Sequence, residues 1–433
     1  MKPSVARYRQ STLARNTAWM FLGQGLRLII QAGYFVIIAR SLGPEQYGSF
    51  VAVTALVAIF APFVGIGSDK LLIKNVARDV SLLDECFGNG VVMTITSGLA
   101  AGAIILNIAR YTLPSSVAMT IVVMVAFSDL VCSRLLDLAA GAFQSLELLG
   151  RTAMLNVLLS ATRLAGIAAL VAVTHHASAL SWSVVYAATT AVAMVTSLVF
   201  VRTVVTSFKL SPGRIKCEIV QGLYFSGGQS AQSIYNDVDK TMLARLATLD
   251  ANGIYAAAYR LIDVAFVPVR SLLFAAYPGF FRYGEGNLED TYRYARRLLR
   301  WPLIFSSVSF VALFVFAPIV PAILGSQYIR TVEALRWLSP LPLLKTAHYF
   351  FADALTGAGY QGLRMTIQII VALFNVLLNL WIIPAYSWRG AAWSSLASDA
   401  LLLVSLWLVI AALRRRKTNR VATFEGVLSP QRY

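Results

Sequence analysis

Histidine is nearly missing from this chain, with three in 433 residues, two of them adjacent at His175 and His176. No HExxH pair exists, and the adjacent histidines fall in a short connection without further ligands, so no metal site is expected. Cysteine is as scarce. Cys86, Cys132 and Cys217 lie far apart with no CxxC spacing, which excludes a disulfide framework and a zinc site. There is no glycine-rich phosphate loop and no nucleophile elbow, so neither a cofactor nor an enzyme is expected. Charge is the largest deficit. Only 13% of residues are charged, against about 25% in soluble domains.

What fills the space is apolar. Hydrophobic residues make up 58% of the chain and mean hydropathy is +0.68. The expected class is an all-α polytopic membrane protein. Twelve apolar stretches are expected to span: 17–39, 46–66, 87–108, 115–138, 152–173, 179–201, 222–246, 253–280, 301–324, 332–356, 365–384 and 390–413. Most have the length of one helix crossing about 30 Å of hydrocarbon. Open strands cannot cross lipid, and the alternation of a barrel is absent. The first stretch is too long for a signal-peptide core and lacks a cleavage site, so it reads as an uncleaved span.

The net charge of +17 would point to nucleic acid in a soluble protein. Here the connections explain it. The termini and even-numbered connections hold 24 Lys and Arg, the odd connections only 4, Arg40, Arg110, Arg330 and Arg389. That asymmetry places both termini in the cytoplasm, and no nucleic-acid partner is expected. The outer connections are too short for an extracytoplasmic domain. Asp69–Val80 and Glu289–Arg300 look like amphipathic helices lying on the inner surface.

The chain also repeats itself. Gly23-Gln24, Ala39-Arg40, Gly48, Phe50 and Gln31 return as Gly228-Gln229, Ala244-Arg245, Gly253, Tyr255 and Asn236, each offset by 205 residues. A duplication of six spans is even-numbered, so both copies share one orientation and are related by an axis along the membrane normal. The expected organisation is a six-helix lobe at 1–201, a basic cytoplasmic linker at 202–221, a second lobe at 222–413 and a basic tail at 414–433.

Nine cations fall inside spans: Arg27, Arg134, Arg163, Lys240, Arg245, Arg260, Arg270, Arg336 and Lys345. An ionised group at membrane depth costs from about 2.5 kcal/mol upward, so each is a functional hypothesis. Together they call for a wet interior cavity that attracts anions. Arg27, near the middle of its span between Gln24 and Gln31, contacts substrate or pairs with an acid on a neighbouring helix. Arg163 has no acid in its own span and faces the same choice. Arg134 and Asp137, at i and i+3, are expected to pair near the end of their span. Asp129 pairs with Arg134 or Arg163, or carries H⁺ or Na⁺. Asn236, Asp239 and Lys240 share a helix face; Asp239 is the leading coupling carboxylate, with Lys240 its partner or a substrate contact. Arg260 and Asp263 are expected to pair. Arg270 follows Pro268, where a kink opens the helix. Lys345 lies near Pro340 and Pro342, and Asp353 further along is a third coupling candidate. His348, the one in-span histidine, is a hydrogen-bonded structural residue or a proton relay. Asp399 has no assigned role.

Several motifs resemble a known family. LGPEQYG (Leu42–Gly48), GIGSDKLLIKNVARD (Gly65–Asp79), NDVDKTMLARL (Asn236–Leu246), GIYAAAYRL (Gly253–Leu261) and Pro268 are similar, in order and spacing, to the polysaccharide-transporter branch of the multidrug/oligosaccharidyl-lipid/polysaccharide (MOP) exporter superfamily. The likeness covers about residues 10–415. It implies two six-helix lobes, alternating access and no ATP site. It also implies flipping of undecaprenyl-diphosphate-linked oligosaccharide across a bacterial inner membrane for surface polysaccharide synthesis, alongside a polymerase and a chain-length regulator. The diphosphate then meets Arg27, Arg163, Lys240, Arg270 and Lys345. The sugars meet Gln24, Gln31, Gln229, Gln232, Asn236, Tyr34 and Tyr235. The first span lacks the acid typical of drug exporters, and twelve spans rather than fourteen set the chain apart from lipid-II flippases. A drug/cation antiporter of the same superfamily, a membrane glycosyltransferase or polymerase, and a non-transporting scaffold of the assembly machinery are the rival readings.

Overall fold

The computed structural model describes residues 3–76, 79–174, 177–211, 236–284 and 288–427, with isolated positions between 213 and 234; side chains are described from 22 to 415 within these, except at 278 and 284. All regular structure among the described residues is helical. Gln229, Gln232, Tyr235, Cys217, His175 and His176 fall outside them.

The first helix, α1 (Pro3–Phe60), bends at Gly43, where φ is +71°, followed by Pro44 inside the helix. Glycine adopts this left-handed conformation without a side-chain penalty, and proline removes a backbone donor. The bend falls between the expected stretches 17–39 and 46–66. The chain then unwinds over Ala61–Gly67, where Gly65, Ile66 and Gly67 all have positive φ. Ile66, at φ +48°, is a β-branched residue in a region such residues seldom enter. A short helix α2 (Ser68–Val76) follows, then α3 (Leu83–Thr112). Next, α4 (Met119–Ala126) runs through a π-helical turn at Phe127–Cys132 into α5 (Ser133–Ser145). Helix α6 covers Leu149–Val173, and α7 (Ala179–Val201) opens on a capping box between Ser178 and Ser181.

Two compact units divide the chain, residues 1–253 with 323–327, and 254–322 with 328–433. In the first, Leu72, Val76, Phe87, Leu136, Phe143 and Leu155 form a buried apolar core under α2. The two glycines related by the 205-residue offset meet across this unit. A methyl group at Gly48 would collide with the Leu249 carbonyl, and one at Gly253 with the Pro44 carbonyl. Asn252 donates from Nδ2 to the Gly48 carbonyl at 2.8 Å. Small residues allow this backbone approach, the usual way helices associate where lipid removes the hydrophobic drive.

Helix α8 (Leu249–Gly284) begins in the first unit. The second unit continues with α9 (Leu288–Phe316), α10 (Thr331–Leu338), α11 (Leu341–Gly357), α12 (Gln361–Tyr386) and α13 (Trp388–Val427). Its core gathers Phe266, Phe280, Ala295, Leu299, Phe350 and Ala354. Outward rows such as Val308, Val311, Phe314 and Val315, or Leu377, Leu380 and Trp381, stay exposed, as faces turned to lipid do.

Among the described residues, eight helices are long and apolar enough to cross a membrane. One of these, residues 22–76, holds two of the expected stretches. The expected span 332–356 is interrupted at Ser339-Pro340, where proline breaks the backbone ladder. Residues 289–300, expected as a separate surface helix, continue directly into the apolar part of α9.

Candidate functional site

The π-helical turn places the most connected polar cluster. A π-turn adds a residue to the helix and is frequent at functional sites. Here it carries Asp129. Arg163 of α6 donates from Nη2 to Asp129 Oδ1 at 3.0 Å and to Ser133 Oγ at 3.2 Å, and from Nε to Thr190 Oγ1 at 3.2 Å. Tyr186 of α7 donates to the same carboxylate oxygen at 2.8 Å, and its ring centroid lies 4.1 Å from the guanidinium carbon. Trp182, Tyr34 and Phe50 continue the aromatic wall. Arg163 and Asp129 therefore satisfy each other, one the expected substrate contact and the other an expected ion carrier.

The second cluster surrounds a cavity of about 250 Å³ next to the unwound 61–67 turn. Asp69, Lys70, Arg134, Asp137, Asn156 and Ser226 are among its lining residues. Lys70 lies 3.1 Å from Asp69, and Arg134 lies 3.4 Å from Asp137. Asp137 is also within electrostatic range of Arg27, which is half-buried; Gln31 is half-buried as well, and Gln24 is exposed. Two lining atoms are buried without a hydrogen-bond partner among the described residues, Arg134 Nε and Ser226 Oγ. Buried polar atoms are nearly always satisfied, so these two atoms at the cavity wall are candidates for contact with a ligand or water. Gly65 Nα donates to Ser97 Oγ at 2.8 Å, holding the turn open beside the cavity.

The third cluster lies on helical residues 236–246. Lys240 Nζ contacts Asp237 Oδ1 at 2.6 Å and the Asn236 carbonyl at 2.9 Å. Its charge is thus taken by Asp237, while Asp239, 2% exposed, accepts the Lys240 backbone N–H at 2.8 Å. For Lys240 the expectation is a pair with Asp239 or a substrate contact, and the structure sets Asp237, a turn earlier, against its ammonium. Helical side chains lean toward the N-terminus, which lets Lys240 reach back to the acid before it.

The same geometry revises α8. Asp263 meets Arg270 at 3.7 Å, seven residues on, rather than Arg260 three residues before it. Arg270 is exposed, and it also lies 5.8 Å from the Phe266 ring centroid. Elsewhere in the second unit, buried Lys345 donates to the Tyr259 hydroxyl at 2.6 Å. Asp353 is held by Arg364 at 2.9 Å, and the same Nη1 reaches Thr356 at 2.8 Å. His348 of α11 and Asp399 of α13, which no spacing relates, meet at 2.7 Å.

Sequence reasoning missed Tyr186, Lys70, Asp69, Arg364 and the His348–Asp399 pairing. The available signal was isolation. For Asp399, a charged residue inside a span with no opposite charge within a turn, a partner on another helix is the expected solution.

A family model described as polysaccharide biosynthesis protein matches residues 13–284. No curated protein matches the chain. An inward-facing multidrug resistance MATE family transporter of the MOP superfamily superposes with a TM-score of 0.71 at 16% identity, covering 92% of this chain and 99% of its own. An outward-facing transporter of the same family gives 0.60 at 17% identity, over 93% and 96%. A MOP superfamily transporter from Pyrococcus furiosus, described by the reverse polarity of its binding pocket, gives 0.59 at 15% identity, over 93% and 96%. At such identities the likeness is one of fold. The family match takes in the bend at Gly43, the unwound turn and the residues lining the cavity beside it, and the chain belongs to the polysaccharide biosynthesis protein family, on the fold of MOP-superfamily transporters.

Proposed function

We propose that the chain is a flippase that carries undecaprenyl-diphosphate-linked oligosaccharide from the cytoplasmic to the periplasmic face of a bacterial inner membrane by alternating access. The observation that carries this reading is the polar cavity beside the 61–67 turn, with Lys70 and Arg134 in its wall, Arg27 within reach of Asp137, and the orphaned Arg134 Nε and Ser226 Oγ. A diphosphate supplies the acceptor oxygens that a guanidinium N–H lacks, and charge-assisted bonds of this kind are the strong ones. The unwound turn adds backbone groups that a regular helix would keep to itself. The organisation into six-helix lobes at 1–201 and 222–413, with both termini cytoplasmic, belongs to the same proposal, as do a polymerase and a chain-length regulator as partners.

Arg134→Gln is the direct test. It keeps an N–H donor but removes the charge. It is expected to lower polymer export at unchanged membrane abundance, with complete lipid-linked units accumulating on the cytoplasmic face. Normal export by Arg134→Gln and by Arg27→Gln together would sink the anion-binding site. The drug-exporter reading draws on the multidrug transporters that share the fold. It needs an acid available to an organic cation, yet Asp69 and Asp137 are each beside a cation. Dye efflux that depends on Asp137 would favour it.

A further inference from the structure

His348 and Asp399 are the most deeply buried acid–base pair described in this chain, with side chains 3% and 2% exposed and Nε2 and Oδ1 2.7 Å apart. They come from separate helices, α11 and α13, fifty-one positions apart in sequence. A hydrogen bond for structure alone is made more cheaply by neutral groups, as the same unit does elsewhere. Asn375 of α12 donates to Ser394 and Ser398 of α13 at 3.3 and 3.0 Å, and Ser306 of α9 meets Thr346 of α11 at 2.6 Å. Using two ionisable groups at this depth, one of them the residue whose charge changes in the physiological range, calls for a reason.

The neighbouring charges are engaged with other groups. On α11, Lys345 is one turn before His348 and gives its ammonium to Tyr259 of α8. Asp353, further along, is held by Arg364 of α12. From α13, Ser395, one turn before Asp399, meets Tyr255 of α8 at 2.9 Å. From α9 the polar group facing α11 is Ser306. The Tyr349 ring centroid is 4.7 Å from that of the imidazole, and the Phe266 ring lies tilted 5.7 Å from Tyr349.

We propose that the His348–Asp399 pair is the proton-binding site of the transport cycle, the group that takes up a proton in one state and releases it in the other. This rests on the transport reading above. With the imidazole neutral and donating from Nε2 to an ionised Asp399, the pair carries one negative charge. A proton arriving from water on Nδ1 makes an imidazolium facing a carboxylate, and the pair becomes neutral overall. Loss of the same proton restores the first state, so one proton is carried per cycle and no other reactant is needed. A state of the transporter in which α11 and α13 pack more tightly favours the neutral pair. A state that lets water reach it favours the charged one. Protonation therefore biases one conformation over the other, by differential affinity alone.

The test uses the full chain in lipid nanodiscs, ¹⁵N-labelled at histidine, with the His348 signal assigned by its loss in His348→Gln. The ring signals are expected to report proton uptake and release in the wild type and to respond differently in Asp399→Asn. In cells lacking the chromosomal copy, His348→Gln and Asp399→Asn are each expected to cut polymer export about tenfold or more, the size of a typical coupling between sites, at wild-type membrane abundance and melting temperature. Glutamine keeps an N–H donor for Asp399, so a purely structural bond survives this change and would leave export intact. A His348 ring that never exchanges a proton while the protein stays folded, or wild-type export by the His348→Gln/Asp399→Asn double variant, overturns the proposal. Failure of the wild-type gene to move lipid-linked units overturns the flippase reading instead, and does so without reference to the titration.

Discussion

At the scale of single residues, four of the nine in-span cations, Arg134, Arg163, Lys240 and Arg270, each stand beside an acid. Arg163 is bound by Asp129, Ser133, Thr190 and the face of Tyr186. Removing one partner of such a pair strands the other in a poorly solvated site. Arg163→Ala is therefore expected to destabilise the protein by about 3 kcal/mol, seen as a lower melting temperature in detergent. Arg163→Met with Asp129→Leu is expected to recover most of it. If Arg163→Ala instead melts like the wild type, the cluster is not a structural pair. Which cations would pair was only partly legible in the sequence. Within one helix the backward lean of side chains accounts for Asp237 with Lys240 and Asp263 with Arg270, while Arg134 reaches forward to Asp137. Between helices no period encodes the partner, so neither Arg163 with Asp129 nor His348 with Asp399 could be read as the single outcome.

At the scale of elements, hydropathy carries the spans well and their ends poorly. Gly43-Pro44 and the glycines Gly65 and Gly67 lie where the helix bends and unwinds. The stretch 289–300 was legible as amphipathic but not as an extension of α9. Its role emerges from packing. Glu289 accepts two hydrogen bonds from Arg414 of α13, at 2.6 and 3.1 Å, and one from Arg293 at 3.2 Å, and the Arg414 guanidinium lies 4.3 Å from the Tyr292 ring centroid. These residues lie beyond the apolar 301–324 stretch. Hydrogen bonds from Arg414 hold the Glu289 carboxyl below the usual glutamate range, against some opposing burial. A carboxyl depressed in the folded state contributes stability above its unfolded pKa and loses it as pH falls through the depressed value. The melting temperature of Glu289→Gln is expected to lie below the wild type at neutral pH, with the gap closing once the medium is acid enough to protonate Glu289. A gap that is constant with pH would assign the clamp to packing of Arg414 on Tyr292.

At the scale of the whole molecule, composition settles the class. The scarcity of charge and the apolar lengths point to a polytopic helical protein, and the eight qualifying helices and the shared MOP fold agree. The 24-to-4 distribution of Lys and Arg makes a further prediction that the fold does not. Reporter fusions after residue 413 and after residue 201 are expected to be active only as cytoplasmic reporters, and fusions near Arg110 and Arg389 only as periplasmic ones. An opposite result at either of the first two sites would remove the inward termini.

The π-helical turn at Phe127–Cys132 has a consequence for anyone mapping faces along 119–145. One additional residue inside a single helix advances everything beyond it by about 100°. The helix is two wheels out of phase, joined without a visible break. A stripe of lipid-facing positions followed along α4 therefore reappears on α5 displaced sideways by one position, and labelling patterns along this helix will slip phase at the turn that presents Asp129.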